Sequence, residues 1–331
     1  MIFATVYAPS TQGHIRPVDP GRDMGAIADL IEVSFSRELD RSGSGLVADM
    51  RQLAALGPLL TIVDRVSPVG GGYVWEEGGR VVGNATMTLE DAVSRRWFVS
   101  NVAVHPTFQG RGIAGQLMAA VLAGIRRQGG RQVLLQVRTD NEPAQRLYRR
   151  LRFDRYDTIA ELVRPGLLPV AVRPQRLAVR RLRGRDWPAL QDLTQAAMPP
   201  RARQVRALGP QALRPSLGKR LQEWLDGLLV GRQSTRWGVE EGSRLLAVVS
   251  LLVEEGSAPA RLDLAVRPEA RGQLEGALAD VGLAALGERR PRAVAASIST
   301  SHPEALQALR ERHFTAVRSL DQLALDLAEG A

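Results

Sequence analysis

Three glycines lie close together in the stretch FQGRGIAG, at Gly110, Gly112 and Gly115. They follow the spacing G-x-G-x-x-G, which is typical of loops that bind dinucleotides. Apolar residues then recur at helical spacing, which predicts a helix that begins in the loop: Ile113, Leu117, Val121 and Ile125. Glycines allow a backbone to approach an anion closely, and the N–H groups and dipole of a helix N-terminus attract phosphate. The loop is therefore predicted to bind a phosphate-bearing ligand.

A nicotinamide or flavin dinucleotide does not fit the flanking sequence. In that motif a tight turn joins a strand to the first glycine, and an acidic residue roughly 20 residues further on contacts the ribose. Here residues 105–109 separate the preceding strand from Gly110, and the position of the acid falls within the apolar segment VLLQV. An antiparallel hairpin is also predicted upstream. We therefore interpret the dinucleotide spacing as a coincidence.

Two segments together resemble the acetyl-CoA signature of the GNAT superfamily of N-acetyltransferases, VSNVAVHPTFQGRGIAGQLM and RTDNEPAQRLYRRLRF. The family loop has Gln or Arg, two residues, Gly, one residue, and then Gly or Ala, which Gln109, Gly112 and Ala114 match. The later segment of the family is matched by Asn141, Ala144, Tyr148 and Phe153. Arg152 stands where the family usually has glycine. The resemblance covers most of residues 14–163.

The resemblance implies an acetyl-CoA-dependent N-acetyltransferase that acts on a primary amine. Backbone groups of Val102, Ala103 and Val104 would pair with the pantetheine arm, and an N–H near Val102 or Ala103 would polarise the thioester carbonyl. N–H groups of the loop would converge on the pyrophosphate, with added charge from Arg111. The rest of the predicted cofactor-binding set is Gln109, Gly110, Gly112, Ile113, Ala114, Gly115, Asn141 and Ala144.

Tyr148 is the predicted catalytic residue. It lies on the apolar face of a predicted helix, and the resemblance assigns its hydroxyl the role of proton donor to the departing CoA thiolate. The base that takes the amine proton stays open among Glu90, Asp91, His105 and a water chain. The sequence has no cysteine, so the acetyl group cannot pass through an acyl-cysteine. The four histidines show no metal-ligand spacing, so no metal is predicted.

The sequence repeats itself at an offset of about 163 residues, and four motifs return in the same order. Residues 21–23, Gly-Arg-Asp, return at 184–186; residues 76–80 return at 240–244; residues 103–106 return at 265–268; Pro143 and Phe153 return as Pro303 and Phe314. This predicts two homologous domains, residues 1–165 and 176–331, joined by a linker at 166–175.

The predicted fold class is α/β (α+β), with two tandem GNAT-like domains that each have a mixed, mostly antiparallel sheet flanked by helices. In the first domain a helix is expected after the Gly-Arg-Asp turn, and Asp154–Val163 is expected to be the closing strand. The other predicted elements are strands at Ile15–Val18, Tyr73–Glu77, Val81–Leu89, Trp97–Val104 and Arg131–Val137, and a helix at Pro143–Leu151.

The second copy departs from the motif where the chemistry would occur. Its loop reads RPEARGQLEGAL, in which Arg271 stands for Gln109, Gly276 for Ala114, and Leu274 for Gly112. The tyrosine is replaced by Leu309 or Ala308, depending on the alignment. This domain is predicted to keep the fold without cofactor chemistry and to shape the acceptor cleft of the first.

Composition limits the alternatives. The chain has 331 residues, of which 44% are apolar and 24% charged, as in globular proteins. The net charge of +9 comes almost entirely from scattered arginines, with few aromatic residues among them, which argues against a nucleic-acid partner. No long apolar run or secretory signal occurs, so a soluble cytoplasmic protein without a membrane partner is expected. An acyl-CoA-binding sensor without turnover remains the alternative function.

Overall fold

The computed structural model describes residues 13–42, 71–166, 168, 178–206, 233–242, 244–253, 259–287 and 291–327. Contacts divide the chain into two compact units. The first contains residues 1–136, 147–152 and 324–331, and the second contains residues 137–146 and 153–323. Each unit therefore includes residues from both halves of the sequence. The domain boundaries at 165 and 176 stay a prediction, and most of the predicted linker, 166–175, lies outside the described residues.

The first unit contains a sheet in the strand order β1-β2-β3-β4-β5. Neighbouring strands are antiparallel as far as β4, and β4 and β5 are parallel. The strands are β1 (His14–Pro17), β2 (Gly71–Glu77), β3 (Arg80–Asp91), β4 (Arg96–Val104) and β5 (Gln132–Arg138, whose last two residues belong to the second unit).

Helices α1 (Pro20–Ser42) and α2 (Ile113–Arg127) cover opposite faces of this sheet. Val74 of β2 packs with Ile27 and Ile31 of α1. Gly83 of β3 lies against α2, because a Cβ built on it would be 3.0 Å from Leu117. Val74 is paired with Asn84, the neighbour of Gly83, and successive strand residues point to opposite faces. The α1 face and the α2 face are therefore distinct.

Helix α1 begins earlier than the sequence predicts. It starts at Pro20, so the Gly-Arg-Asp turn lies inside the helix rather than before it. Proline is favoured at the first helical position because its fixed φ suits a helix and its missing N–H is not needed there. Asp19 caps this start, since its Oδ1 accepts the Gly21 N–H at 3.0 Å. In the second copy the same turn is a short 3₁₀ helix, Gly184–Asp186.

The second unit contains strands in the order β12-β6-β11-β10-β9-β8-β7. Its sheet is also mixed, since β10 and β11 are parallel whereas β10 and β9 are antiparallel. The strands are β6 (Asp154–Pro165), β7 (Val179–Arg181), β8 (Gln233–Glu241), β9 (Arg244–Val253), β10 (Ala260–Val266), β11 (Ala293–Ser299) and β12 (Thr315–Asp326). The helices are α3 (Glu142–Arg150, whose residues from 147 belong to the first unit), α4 (Trp187–Ala197), α5 (Pro200–Val205), α6 (Glu275–Ala284) and α7 (Pro303–Arg310).

Strand β6 does not close the first unit as the sequence predicts. It pairs antiparallel with β11 over seven residues, from Ile159↔Ser299 to Pro165↔Ala293, and its Ala160 and Leu162 are part of the second unit's core. The first unit instead includes the end of β12, where the Leu327 N–H donates to the Arg131 carbonyl at 2.8 Å. An alternating strand pattern specifies which face is buried but not which neighbour the strand pairs with. The predicted fold class of mixed, mostly antiparallel sheets flanked by helices is confirmed.

An ion network shows the internal repeat in three dimensions. In the first unit Arg16 donates to Asp23 at 2.8 Å and to Glu76 at 2.7 Å. In the second unit Arg180 makes the same bonds to Asp186 and Glu240, each at 2.8 Å. In each unit the arginine lies on the first strand and the glutamate on the antiparallel strand beside it. The offset of 163 to 164 residues in sequence is thus also a repeated set of contacts.

In the part of the chain that the structure describes, no helix is long and apolar enough to cross a membrane.

Candidate functional site

Strand β4 has a free edge along its second half. It pairs with β5 only from Arg96↔Gln132 to Val99↔Leu135, although β4 continues to Val104. On its other side it pairs with β3 as far as Val104↔Gly83. Among the described strands, the segment 100–104 therefore has a partner on one side. Such an edge offers backbone N–H and C=O groups to a ligand that adds like a strand. The predicted residues Val102, Ala103 and Val104 lie on this segment.

A β-bulge marks the point where β4 leaves β5. Ser100 pairs with Thr86 and Ala103 pairs with Asn84, so Asn101 and Val102 lie opposite the single residue between them on β3. Asn101 has a left-handed backbone, with φ of +52°. Bulges of this kind bend a strand and end its pairing with a neighbour. The bulge therefore accounts for the free edge.

The segment that follows β4 is held by its own side chains. Residues 106–108 form a 3₁₀ turn, which His105 caps by accepting the Thr107 N–H at Nδ1 over 3.4 Å. Gln109 donates from Nε2 to the Val104 carbonyl at 3.1 Å. Gln109 thus connects the loop to the end of β4. His105, one of the candidate bases, has a structural role in this turn.

Two of the three loop glycines need to be glycine for conformational reasons. Gly110 and Gly112 have φ of +78° and +76°, a left-handed conformation that other residues adopt only at a cost. Gly115 is not among the residues with positive φ, and a Cβ on it would make an ordinary contact of 3.7 Å with Leu147. The conformationally important pair is therefore Gly110 and Gly112. Gly115 has no such requirement.

The loop passes directly into the N-terminus of α2. Gly112 is the N-cap residue and has no side chain to accept the first N–H groups of the helix. These N–H groups and the helix dipole are therefore directed toward any anion held by the loop. The predicted helical spacing is confirmed, since Ile113, Leu117, Val121 and Ile125 are all buried.

Arg111 is directed toward the β2–β3 hairpin. Its guanidinium makes three hydrogen bonds of 3.0 to 3.1 Å to Glu77, and its Cζ lies 5.2 Å from the centre of the Phe108 ring. The side chain remains half exposed. Glu77 therefore competes with any phosphate for this charge, a partner that the sequence did not reveal.

Tyr148 is a buried tyrosine on α3, in the same compact unit as β4 and α2. Burial raises its pKa to about 12, because the phenolate would lose its hydration. The hydroxyl therefore keeps its proton at neutral pH, and the raised pKa makes it a weaker acid than an exposed tyrosine. The neighbouring Leu147 reaches Gly115 at the start of α2.

Asn141 and Ala144 belong to the second compact unit, where they form the N-terminus of α3. Asn141 caps this helix, since its Oδ1 accepts the Ala144 N–H at 3.2 Å and its carbonyl accepts the Gln145 N–H at 2.9 Å. Asparagine is among the best N-cap residues. The motif residue Asn141 thus has a clear structural role in addition to the predicted one.

The two acidic base candidates both have partners at the β3–β4 turn. Glu90 accepts from Arg96 at 2.8 Å, and Asp91 accepts from the Ser94 hydroxyl at 2.6 Å. The hydrogen bond from Ser94 is the main cause that lowers the pKa of Asp91. A carboxylate with a lowered pKa is a weaker base, so this contact does not favour Asp91 as the proton acceptor.

The equivalent loop of the second unit contains a carboxylate of its own. Gly272 has a φ of +79°, as Gly110 does, but Leu274 has a negative φ of −110° where Gly112 is left-handed. Glu275 is buried, and it accepts the Gly272 N–H at 2.9 Å. Burial is the main cause that raises its pKa, against hydrogen bonds from nearby backbone N–H groups. A side chain therefore uses N–H groups that an external anion would need.

Comparisons with known proteins agree with this geometry. Residues 47–153 match the family model described as acetyltransferase (GNAT) family. A mycothiol acetyltransferase of Saccharopolyspora erythraea is 44% identical over 57 residues, which is 17% of this chain. The match spans 19% of the length of that relative.

Solved structures extend the likeness over the whole chain. A GCN5-related N-acetyltransferase from Sphaerobacter thermophilus has a TM-score of 0.63 at 17% identity, with 96% of this chain and 97% of that chain covered. A tandem GNAT protein from the clavulanic acid biosynthesis pathway has a TM-score of 0.58 at 16% identity, with 97% and 100% covered. At these identities the likeness shows the fold. Residues 47–153 are therefore similar to the GNAT acetyltransferase family, and the fold of the chain is similar to that of tandem GNAT proteins.

Proposed function

We propose that the protein is an acetyl-CoA-dependent N-acetyltransferase whose active site is formed by residues 14–163. The observation that carries the proposal is the free edge of β4 beside a loop with two left-handed glycines and an uncapped helix N-terminus. The edge suits the amide groups of a pantetheine arm, and the loop suits a pyrophosphate. A Cβ added at Gly110 or Gly112 would point into open space, so the cradle has room for the anion. The match to the GNAT family model supports the same reaction.

In the proposed mechanism the amine attacks the thioester carbon directly within a ternary complex. The N–H of Val102 or Ala103 stabilises the negative charge on the carbonyl oxygen. The carbon–sulfur bond then breaks, the CoA sulfur takes the proton of the Tyr148 hydroxyl, and the amine nitrogen loses its proton to a base. The Tyr148 hydroxyl carries its proton at neutral pH, which is the protonation state that this role requires. The reaction needs no metal.

The acceptor is a primary amine in this proposal. One relative bears the name mycothiol acetyltransferase, so small amine-bearing metabolites are the first choice of acceptors. The acceptor cleft is assigned to residues 35–60, of which 43–60 lie outside the described part of the chain. We place the enzyme in the cytoplasm as part of the same proposal.

The test is turnover by the Tyr148→Phe variant. CoA release from acetyl-CoA is measured with a panel of small primary amines. We expect kcat to fall roughly 10² to 10³-fold, the usual contribution of a general acid, with unchanged affinity for CoA. Tyr73→Phe is the matched control, since its hydroxyl accepts from Arg127 in the same unit and has no proposed catalytic role.

Each outcome of this test has a definite meaning. Equal loss in both variants would remove the role assigned to Tyr148. Tight CoA binding without turnover in the wild type would support the acyl-CoA-binding sensor and contradict the enzyme. Affinity for nucleic acid that falls steeply with salt would contradict the assignment of a small-molecule acceptor.

A further inference from the structure

We propose that Asn84 is a positioning residue for acetyl transfer, because its side-chain amide sets the direction of the Val102 N–H. This inference rests on the proposed function, and it concerns a residue that lies on β3, outside the sequence motif. The signal in the sequence is a polar residue inside the apolar strand segment VVGNATM.

Asn84 is an unusual residue for its place in the sheet. It is 0% exposed, and its Nδ2 donates to the Asn101 carbonyl at 2.9 Å and to the Thr86 hydroxyl at 3.2 Å. Its Oδ1 is buried and has no hydrogen-bond partner among the described residues. A buried acceptor without a partner destabilises a fold relative to an apolar residue of similar size. The contribution of Asn84 therefore lies in its two Nδ2 hydrogen bonds, one of them to the Asn101 carbonyl.

The bond ends on the residue that forms the bulge. Asn101 is the left-handed residue of β4, and a non-glycine residue keeps such a conformation only when its surroundings fix it. The register of β3 and β4 is interrupted here, between Ala103↔Asn84 and Ser100↔Thr86. A side chain of β3 therefore holds the Asn101 carbonyl at a point where the backbone ladder is irregular.

The peptide plane transmits this contact to the proposed oxyanion donor. In a planar trans peptide the carbonyl of one residue and the N–H of the next point in opposite directions. The described peptide bonds are all trans. Because Asn84 on β3 draws the Asn101 carbonyl toward itself, the Val102 N–H points away from β3, toward the side of β4 that has no pairing with β5. Asn84 thereby aims the N–H that the mechanism requires.

The contact predicts a specific kinetic signature. The N–H of Val102 acts on the thioester carbonyl, which CoA itself lacks. Loss of Asn84 should therefore lower kcat while the dissociation constant of CoA changes little. For Asn84→Leu we expect kcat to fall roughly 10 to 100-fold, somewhat less than the loss of a complete oxyanion donor. Thr86→Val is the matched control, since it removes the other partner of Asn84 and leaves the Asn101 contact.

Asn84→Asp gives a second measurement, the pH dependence of kcat, which would not change if Asn84 had a purely structural role. A protonated carboxyl can still donate to the Asn101 carbonyl, whereas a carboxylate can only repel it. The ratio of variant to wild-type kcat should therefore fall as the pH rises. A ratio that is independent of pH, or wild-type kcat in Asn84→Leu, would overturn the inference.

A spectroscopic measurement separates this inference from the proposed function. Asn101–Val102 is the only Asn-Val pair in the sequence, so ¹³C-carbonyl Asn and ¹⁵N-Val labelling gives a single peptide signal for it. We expect this signal to shift in Asn84→Leu and Asn84→Asp and to stay in place in Thr86→Val. An unmoved signal in the Asn84 variants refutes the positioning role even if the protein shows no turnover. A shifted signal in a protein without turnover supports the geometry and refutes the enzyme.

Discussion

At the scale of single residues, two helix ends in this chain are closed by residues that are not glycine. Arg152 follows α3 with φ of +64°, and His313 follows α7 with φ of +66°. Their N–H groups donate hydrogen bonds to the carbonyls of Arg149 and Arg310, respectively, at 3.0 Å in each case. A left-handed residue after a helix is most often glycine, because a Cβ is strained in that conformation. Both copies therefore keep the same strained position.

Arg152→Gly should raise the stability of the protein. Relief of the left-handed strain is worth about 1 to 2 kcal/mol, from which the greater freedom of glycine in the unfolded chain subtracts roughly half. We expect a net gain of up to about 1 kcal/mol, measured from urea unfolding midpoints. Arg150→Gly, at the last helical residue of α3, is the control and should lose about 0.5 to 1 kcal/mol. A lower stability of Arg152→Gly would show that the arginine side chain contributes more than its backbone strain costs.

At the scale of elements, two adjacent differences between the loop of helix α2 and its second copy bear on anion binding. Gly110 and Gly272 share the left-handed conformation, whereas Gly112 is replaced by Leu274. The next position holds the buried Ile113 in one copy and the buried Glu275 in the other. In the first copy the side chain fills the core under α2, and in the second the carboxylate accepts a loop N–H. The first loop leaves its N–H groups for an external anion, whereas the second loop contains a carboxylate of its own.

Gly112→Ala and Gly115→Ala separate conformation from motif spacing. Alanine at 112 would strain the backbone by about 1 to 2 kcal/mol, so we expect the affinity for CoA to fall roughly tenfold or more. Alanine at 115 makes only an ordinary contact with Leu147, so affinity should stay within about threefold. Isothermal titration measures both, and it should give one site per chain because Glu275 occupies the second loop. Equal effects of the two alanines would favour a dinucleotide-type requirement for all three glycines.

At the scale of the whole molecule, the repeated ion network differs in its exposure to water. The Asp23 side chain is 1% exposed and that of Arg16 is 18% exposed, whereas Arg180 in the second unit is 40% exposed. Burial by itself would raise the pKa of Asp23, but hydrogen bonds from Arg16 and the Asp19 N–H lower it overall. The Asp23 carboxylate therefore stabilises the fold fully at pH values above the ordinary pKa of an aspartate. This stabilisation is lost as the pH falls through the lowered pKa of the folded state.

Arg16→Met and Arg180→Met should therefore have unequal effects. Removal of Arg16 leaves a buried carboxylate without its main partner, which costs about 3 to 5 kcal/mol near neutral pH. The loss from Arg180→Met should be smaller, because water screens that network. The cost of Arg16→Met should shrink as the pH is lowered into the acidic range, since Asp23 then takes up a proton. Urea unfolding at several pH values tests this, and equal losses in the two variants would contradict it.

The sequence predicted the helices and strands of this fold better than it predicted which strands pair with each other. Alternation and helical spacing located the β2–β3 hairpin and helix α2 to within about two residues, as is usual for boundaries. Repeated motifs revealed the duplication, because equivalent turns need the same residues. The pairing of β6 with β11 was not predictable, since period-two patterns do not name a neighbour.

The candidate site was predictable to a similar degree. The loop glycines and Tyr148 were predicted because motif spacing restricts those positions, and their roles stay a prediction. The bulge at Asn101, the Arg111–Glu77 contact and the buried Glu275 were missed. The bulge depends on a left-handed backbone at a residue other than glycine, the Arg111–Glu77 contact joins residues distant in sequence, and the role of Glu275 depends on its burial. For Asn84 the signal in the sequence is its position, as a polar residue within the apolar strand segment VVGNATM.

The division of strands between the units has a consequence for how the chain can be cut. Residues 324–331 belong to the compact unit that contains Tyr148, and residues 153–165 belong to the other. A protease cut in the segment between the sequence copies would separate β6 from the rest of its compact unit, and the end of β12 from the other unit. A C-terminus shortened to before residue 324 would remove part of the compact unit that contains Tyr148, although every residue of the amino-terminal copy would remain. Each sequence copy thus supplies residues to the other copy's compact unit, so we expect the two copies to fold together rather than as separate fragments.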